Sequence, residues 1–317
     1  MHVWLPWQCA LMTYALTFAV TQRIAALRLA GAHIFGNAQH RHARGDCVRP
    51  NPFMTAVLRD GRLLEFSMTR YAVLNNVAHH DLRVILRFGA EFGDAVGVVP
   101  AFVTEYAELQ REYPLFFRKD PAGSGYQSVA LLGFAQDENL FLQDGRWNAS
   151  YLPGIVAKGP FLIGFQEQHI DGALVQEPVI HVDLEHPRIS RREGEAVFLP
   201  QGGHSPYLQH IIGVLRGIRE GVDAGQAMAA AFDALGLIQP VRLDVALDAS
   251  QATQLQGVFA IDRERLAALD AQALHQLHQA GYLEGAFLML ASLHNVRRLM
   301  AEKQRRLQQS HSDAVAT

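Results

Sequence analysis

Lysine is almost missing from this chain. Lys119, Lys158 and Lys303 are the only three among 317 residues, and arginine supplies the remaining positive charge. That replacement follows GC-rich coding and carries no functional signal. Cysteine is scarcer still: Cys9 and Cys47 are the only two, both within the first 50 residues. Beyond position 47, then, neither a disulfide framework nor a thiolate metal site can be built. Excess charge of one sign is lacking too. The 28 basic and 31 acidic residues leave a net charge of −3, so there is no basic field for nucleic acid and no solvating acidic tail. Long hydrophobic runs are also wanting. Trp4–Val20 is broken by Pro6, Gln8 and Thr13 and falls short of the roughly 20 apolar residues a spanning helix needs. Its arginines, Arg23 and Arg28, follow the run rather than precede it, the reverse of a secretory signal. No transmembrane span is expected, and no nucleic-acid partner. Glycine-rich phosphate loops, the nucleophile elbow, the zincin helix and the paired-cysteine motif do not occur.

What is present is an ordinary globular composition, 49% hydrophobic and 19% charged, in a chain long enough to bury a substantial core. The first 67 residues stand apart. They hold both cysteines, two of the three tryptophans, and seven arginines against three acids. His33–Pro52 is basic, His-rich and irregular. Residues 1–67 are therefore expected to be a disordered or non-native extension, with Met68 as the natural start. Residues 68–310 read as a single α+β domain and 311–317 as a frayed tail.

The predicted class is α+β, a central, mostly antiparallel sheet with a helical C-terminal portion. Short apolar runs at Val129–Phe134, Asn139–Leu142 and Phe161–Phe165 are separated by turn formers, among them Asp144-Gly145 and Pro153-Gly154. Phe102, Tyr106, Leu109 and Tyr113 recur at helical spacing and stop at Pro114. Further strands are expected at Tyr71–Leu74, Leu82–Phe88, Val179–Leu184 and Leu237–Leu247. Tyr207–Ile218 and Ala224–Leu235 read as two helices, the second closed by Gly236. Asp262 and Asp270 are placed to cap helices, and Leu283–Met300 reads as one long amphipathic helix.

Two places could carry chemistry. His181-Val182-Asp183 puts two metal-ligating types on the same side of a strand, with His204 a third candidate; this is the ligand pattern of a facial iron site. In a chain with 15 histidines such a short pattern recurs by chance, and two solvent-facing residues on an edge strand are the simpler reading. His169, His186, His275 and His278 read as surface histidines. The second place is Arg146-Trp147 and Tyr151, beside the turn carboxylates Asp137, Glu138 and Asp144. Here a polar pocket with an aromatic floor could form, although such carboxylates often serve turn amides and such tryptophans the core. No catalytic residue is assigned and no cofactor is expected.

Several separated segments resemble the SapC family: Tyr113-Pro114-Leu115-Phe116-Phe117, Val129–Phe134, Glu138–Leu142, Gly145-Arg146-Trp147, Tyr151-Leu152-Pro153, Gly159-Pro160-Phe161, Gly194–Phe198, Gly257–Asp262 and Gly281-Tyr282-Leu283. The resemblance runs from about Met68 to Arg306. It implies a bacterial protein associated with the surface layer or cell envelope, with an envelope or surface-layer protein as partner. It brings no established catalytic residues. The unrelated peptide-transporter permease of the same name needs several spanning helices, which this sequence does not have. The expectation is a soluble, non-enzymatic protein acting by binding. Two alternatives stay open: a metal- or cofactor-dependent enzyme using His181 and Asp183, and a ligand-binding accessory protein of an outer-membrane uptake system. A start at Met68 makes the cytoplasm the default location, with leaderless export to the cell surface as the alternative.

Overall fold

The computed structural model describes strands β1 (Phe53–Val57) and β2 (Leu63–Ser67) and residues 71–120, 125–170, 173–246 and 252–315. In the first 67 residues, read as an irregular extension, β1 and β2 pair antiparallel; the rest of that stretch, and positions 316 and 317 of the tail, lie outside the described residues. The fold is α+β with antiparallel sheets and a helical C-terminal portion. Among the described residues no helix is long and apolar enough to cross a membrane. Two compact units are present. One takes in the described residues up to Ala78 with Pro160–His186; the other comprises His79–Gly159 and Pro187–Thr317. The boundaries fall inside the span read as one domain.

The smaller unit contains β3 (Tyr71–Val73) and two long strands discussed below. In the larger unit, β4 (Arg83–Val84) and β5 (Val98–Pro100) precede β6 (Leu115–Lys119) and β7 (Tyr126–Leu131). A short hairpin, β8 (Leu142–Gln143) and β9 (Arg146–Trp147), follows. The smaller unit's β10 (Phe161–Ile170) and β11 (Ala173–Asp183) pair along their length, and β11 also pairs β3. Back in the larger unit, β12 (Ile189–Ser190) and β13 (Glu195–Ala196) flank β4. Finally β14 (Ile238–Ala246) and β15 (Ala252–Ile261) complete a five-stranded sheet in the order β14-β15-β6-β7-β5.

The apolar run Val129–Phe134 begins in β7, an interior strand of that sheet between β6 and β5, with Val129 to Leu132 all at most 4% exposed. Leu115, Phe116 and Phe117 from β6 join them, as do Met228, Phe232, Ala286 and Met289 from the helices. Tyr126 and Phe259 meet edge to face at 5.0 Å and Phe117 meets Phe232 at 6.3 Å, geometries the ring quadrupole favours. The Asn139–Leu142 run forms no strand before Leu142; Arg306 instead donates to the carbonyls of Leu140 (2.7 Å) and Leu142 (3.0 Å), and Lys303 pairs with Glu138.

The helices depart from the sequence reading in three places. The span read as two helices, Tyr207–Ile218 and Ala224–Leu235, forms one, Pro206–Ala234. Gly213, Gly217, Gly221 and Gly225 look like a break but lie four apart on one face. A Cβ on Gly221 would sit 2.6 Å from the Cβ of Phe102, so glycine is needed for close approach. Thr104 donates to the Gly217 carbonyl at 2.9 Å across the same contact. The Phe102–Tyr113 period yields only a 3₁₀ turn at Val103–Glu105 and one α turn at Tyr106–Leu109. Conversely, Leu283–Met300 is split into Tyr282–Ser292 and Asn295–Val315. At the break Ser292 accepts from the Leu115 amide at 2.9 Å and Asn295 donates to Gln110 at 2.8 Å. These buried side chains serve backbone groups of the segment from Gln110 to Leu115. The caps behave as their residue types dictate: Asp262 accepts from Glu264 and Arg265, and Asp270 from Ala273.

Candidate ligand-binding groove

Asp144 and Gly145 both adopt left-handed backbone, φ 51° and 74°. That is the pair a two-residue hairpin turn requires, because its twist then matches the strands it joins. The turn closes β8 on β9 with Leu142 opposite Trp147 and Gln143 opposite Arg146. Arg146 and Trp147 are consecutive strand residues, so their side chains leave opposite faces. Arg146 is exposed. Trp147 is half-buried in a row of rings, stacked on Phe141 (centroids 6.2 Å, planes 10° apart) and tilted against Phe88 at 5.7 Å. Its indole Nε1–H donates to the Tyr113 hydroxyl at 2.7 Å, and that hydroxyl donates to the Tyr151 carbonyl at 2.5 Å.

The facing wall is the segment Ile85–Phe88 that leaves β4. The Phe88 amide donates to the Gly145 carbonyl at 3.0 Å, so the hairpin and the wall are tied directly. Behind the wall lies a buried ion pair. Arg188 donates to both carboxylate oxygens of Asp94, at 3.1 and 2.6 Å, and to the Arg87 carbonyl at 2.9 Å. Its guanidinium lies 5.2 Å from the Phe88 ring centre and 5.1 Å from that of Phe92, a cation–π contact on each ring. The remaining side is Glu193-Gly194. A Cβ on Gly194, φ 97°, would fall 2.3 Å from the Val84 carbonyl oxygen, so only glycine lets this turn lie against β4.

Between these elements is a cavity of about 710 Å³, within the range of small-molecule sites. Ile85, Leu86, Phe88 and Trp147 supply its apolar surface; Arg87, Asp144, Arg146 and Glu193 supply its polar groups. Leu86 is 50% exposed, unusual for an aliphatic side chain on this protein. Arg87 and Glu193 approach only to 3.9 Å and their side chains are 68% and 63% exposed, so this ion pair holds little energy. Arg146 has no ion-pair partner among the described residues.

Of the residues singled out in the sequence, Arg146, Trp147 and Asp144 line the cavity, and Tyr151 does not. The Tyr151 hydroxyl donates to Glu105 at 2.9 Å while its amide donates to Glu112 at 3.2 Å. Tyr151 thus braces the segment behind Trp147. Glu105, 7% exposed, also accepts from the amides of Gly154 (2.8 Å) and Phe102 (3.2 Å). Burial pushes its carboxyl above the ordinary value, and those three donors pull against the rise. Glu138 accepts from the Phe134 amide, as turn carboxylates do.

The histidine candidates are built differently. Asp183 accepts from the Glu185 amide at 3.0 Å and so shapes the turn after β11. His181 lies against the bare face of Gly164 on the neighbouring strand. A Cβ there would be 2.5 Å from His181 Nε2, which is buried without a hydrogen-bond partner. Desolvation lowers the His181 pKa and favours the neutral ring. His204 belongs to the other compact unit, where its ring packs 6.2 Å from Phe198. Among the described residues no group of three His, Cys, Asp or Glu is arranged to hold a metal. His169 lies within β10, and His275 and His278 are exposed on the helix Ala271–Gln279.

Sequence reasoning assigned no site role to Ile85–Phe88 or to the Glu193-Gly194 turn, and missed the Arg188–Asp94 pair. Arg188 lies 94 residues from its partner in the chain, and no local pattern links the two. The one sequence signal that pointed here was the Asp-Gly turn followed by Arg-Trp.

No curated protein and no solved structure matches the chain. The family model described as SapC matches residues 74–299, which contain every wall of the groove. The chain belongs to the SapC family.

Proposed function

We propose that the protein acts by binding, in the biogenesis of the cell envelope or its surface layer, and that the groove beside Arg146 and Trp147 is the contact site. The observation that carries this reading is the state of Trp147. Its only polar atom is committed to Tyr113 at 2.7 Å, and its ring is held by Phe141 and Phe88. What it offers the cavity is a fixed apolar surface, next to the exposed guanidinium of Arg146. A fixed aromatic anchor beside exposed polar groups is a recognition surface, because the anchor loses little conformational entropy when a partner docks. The envelope assignment rests on family membership. The same groove would serve the alternative role, presenting a small ligand to an outer-membrane uptake system.

The test is co-sedimentation of the purified full-length protein with isolated cell envelopes. The wild type pellets with them, and the variant Arg87→Ala/Arg146→Ala stays in the supernatant while melting at an unchanged temperature. Equal pelleting of the two proteins overturns the groove as the contact site. The enzymatic alternative has its own signature: stoichiometric metal in the purified protein, lost in His181→Ala, would replace the binding-only reading.

A further inference from the structure

We infer that the ligand of this groove is a saccharide chain, recognised through the C–H faces of its rings and its paired hydroxyls. This rests on the groove being the contact site and goes further by naming the chemistry it takes. Two guanidiniums, Arg87 and Arg146, and two carboxylates, Asp144 and Glu193, stand around Phe88 and Trp147. Their charges cancel, so an anion in the groove meets two carboxylates and a cation meets two arginines. A neutral ligand meets neither penalty. Arg87 and Glu193 are well over half exposed, and Asp144 and Arg146 are exposed too. Charges in that setting are screened and give weak ion pairing, which counts against a zwitterion or peptide held by its termini. The same four groups are planar and bidentate, two donating and two accepting. Neighbouring ring hydroxyls of a sugar present donor and acceptor together, at a spacing such groups reach. The apolar C–H face of a pyranose then lies on the aromatic and aliphatic surface of Phe88, Trp147 and Leu86, which supplies the affinity that exposed hydrogen bonds cannot. The cavity is open to the surface, which gives a polymeric ligand access.

Isothermal titration of the full-length protein with oligomers of β-linked glucose, N-acetylglucosamine and mannose tests this, beside a neutral-capped tripeptide and an uncapped one. The expected result is saturable binding of at least one oligosaccharide at millimolar concentration, unchanged between about 50 mM and 500 mM salt, since a neutral ligand is not screened. Asp144→Ala and Arg146→Ala each weaken it measurably, by about threefold, a modest loss because these hydrogen bonds are exposed. Binding of a peptide and no oligosaccharide overturns the saccharide assignment and leaves the groove. So does the absence of any oligosaccharide binding while co-sedimentation with envelopes still depends on Arg87 and Arg146. Oligosaccharide binding that both variants retain in full places the sugar elsewhere and overturns the inference.

Discussion

The wall of the groove depends on a charge that has been taken out of water, and removing its partner shows what that costs. Asp94 is 5% exposed and Arg188 is 7% exposed. In Arg188→Met the side chain keeps much of its length and its contact with Phe88 and Phe92, but the Asp94 carboxylate loses both guanidinium bonds. The Gly89 amide, at 2.9 Å, then remains to it. An uncompensated buried charge costs about 3–5 kcal/mol. In a unit of roughly 210 residues each kcal/mol moves the melting temperature by about 2–4 °C, so the variant should melt roughly 6–20 °C below the wild type. The companion measurement is the double variant Arg188→Met/Asp94→Asn. It removes the stranded charge and should recover at least about 1 kcal/mol relative to Arg188→Met alone, the non-additivity expected of groups in direct contact. Urea melts of the wild type, Arg188→Met, Asp94→Asn and the double variant measure both quantities. A loss below about 1 kcal/mol in Arg188→Met would refute the reasoning, and so would a double variant whose cost equals the two single costs added. Arg188 also holds the Arg87 carbonyl, so the single variant should weaken ligand binding in the groove even at temperatures where it is fully folded.

Three further outcomes follow from other buried groups. Glu105 has its carboxyl pushed above its ordinary value of 4.5, chiefly by burial. A raised carboxyl stabilises fully below the unfolded value and loses that contribution as pH rises through the folded value. The stability of the wild type relative to Glu105→Gln should therefore fall as pH rises above the ordinary value of 4.5, and a relative stability that rises there contradicts it. Gly164→Ala drives a methyl group into the His181 ring and should cost about 1–3 kcal/mol as overpacking. His181→Ala in the same chain should restore most of this, as read by hydrogen exchange of β10 and β11; no rescue would mean that the two do not collide. Tyr113→Phe strips the acceptor from the Trp147 indole and the donor from the Tyr151 carbonyl. An unsatisfied buried donor costs about 1–3 kcal/mol, and the freed Trp147 should show a shifted emission maximum in a Trp4→Phe/Trp7→Phe background. An unchanged spectrum and melt would show that the hydroxyl bridge carries nothing.

Local signals in the sequence were legible where short-range physics decides the structure. Asp144-Gly145 needs two left-handed residues and advertises them; Asp262 and Asp270 cap helices because their oxygens reach amides two or three residues on; Val129–Leu132 forms the sheet's interior because it has no polar side chain to expose. Illegibility began where a long-range contact overrides a local pattern. The glycines from 213 to 225 suggest a helix boundary until Phe102 and Thr104 are seen to need the space they leave. Ser292 and Asn295 look like ordinary helix residues until Leu115 and Gln110 are seen to need their polar atoms. The groove divides the same way. Its hairpin, Arg146 and Trp147 can be read from six consecutive residues, but its opposite wall is set by Arg188 reaching Asp94 and by Gly194 lying on Val84. Neither contact leaves a periodicity to detect. Tyr151 shows what this means for assigning roles. Four residues after Trp147 in the chain, it reads as a neighbour in the pocket, yet its hydroxyl and amide face Glu105 and Glu112. It bears on the groove through its carbonyl alone, which accepts from the Tyr113 hydroxyl that in turn accepts from Trp147. A ligand would therefore be sensitive to Tyr151 through the orientation of Trp147, and Tyr151→Phe, which keeps that carbonyl, should leave binding intact while losing the bond to Glu105.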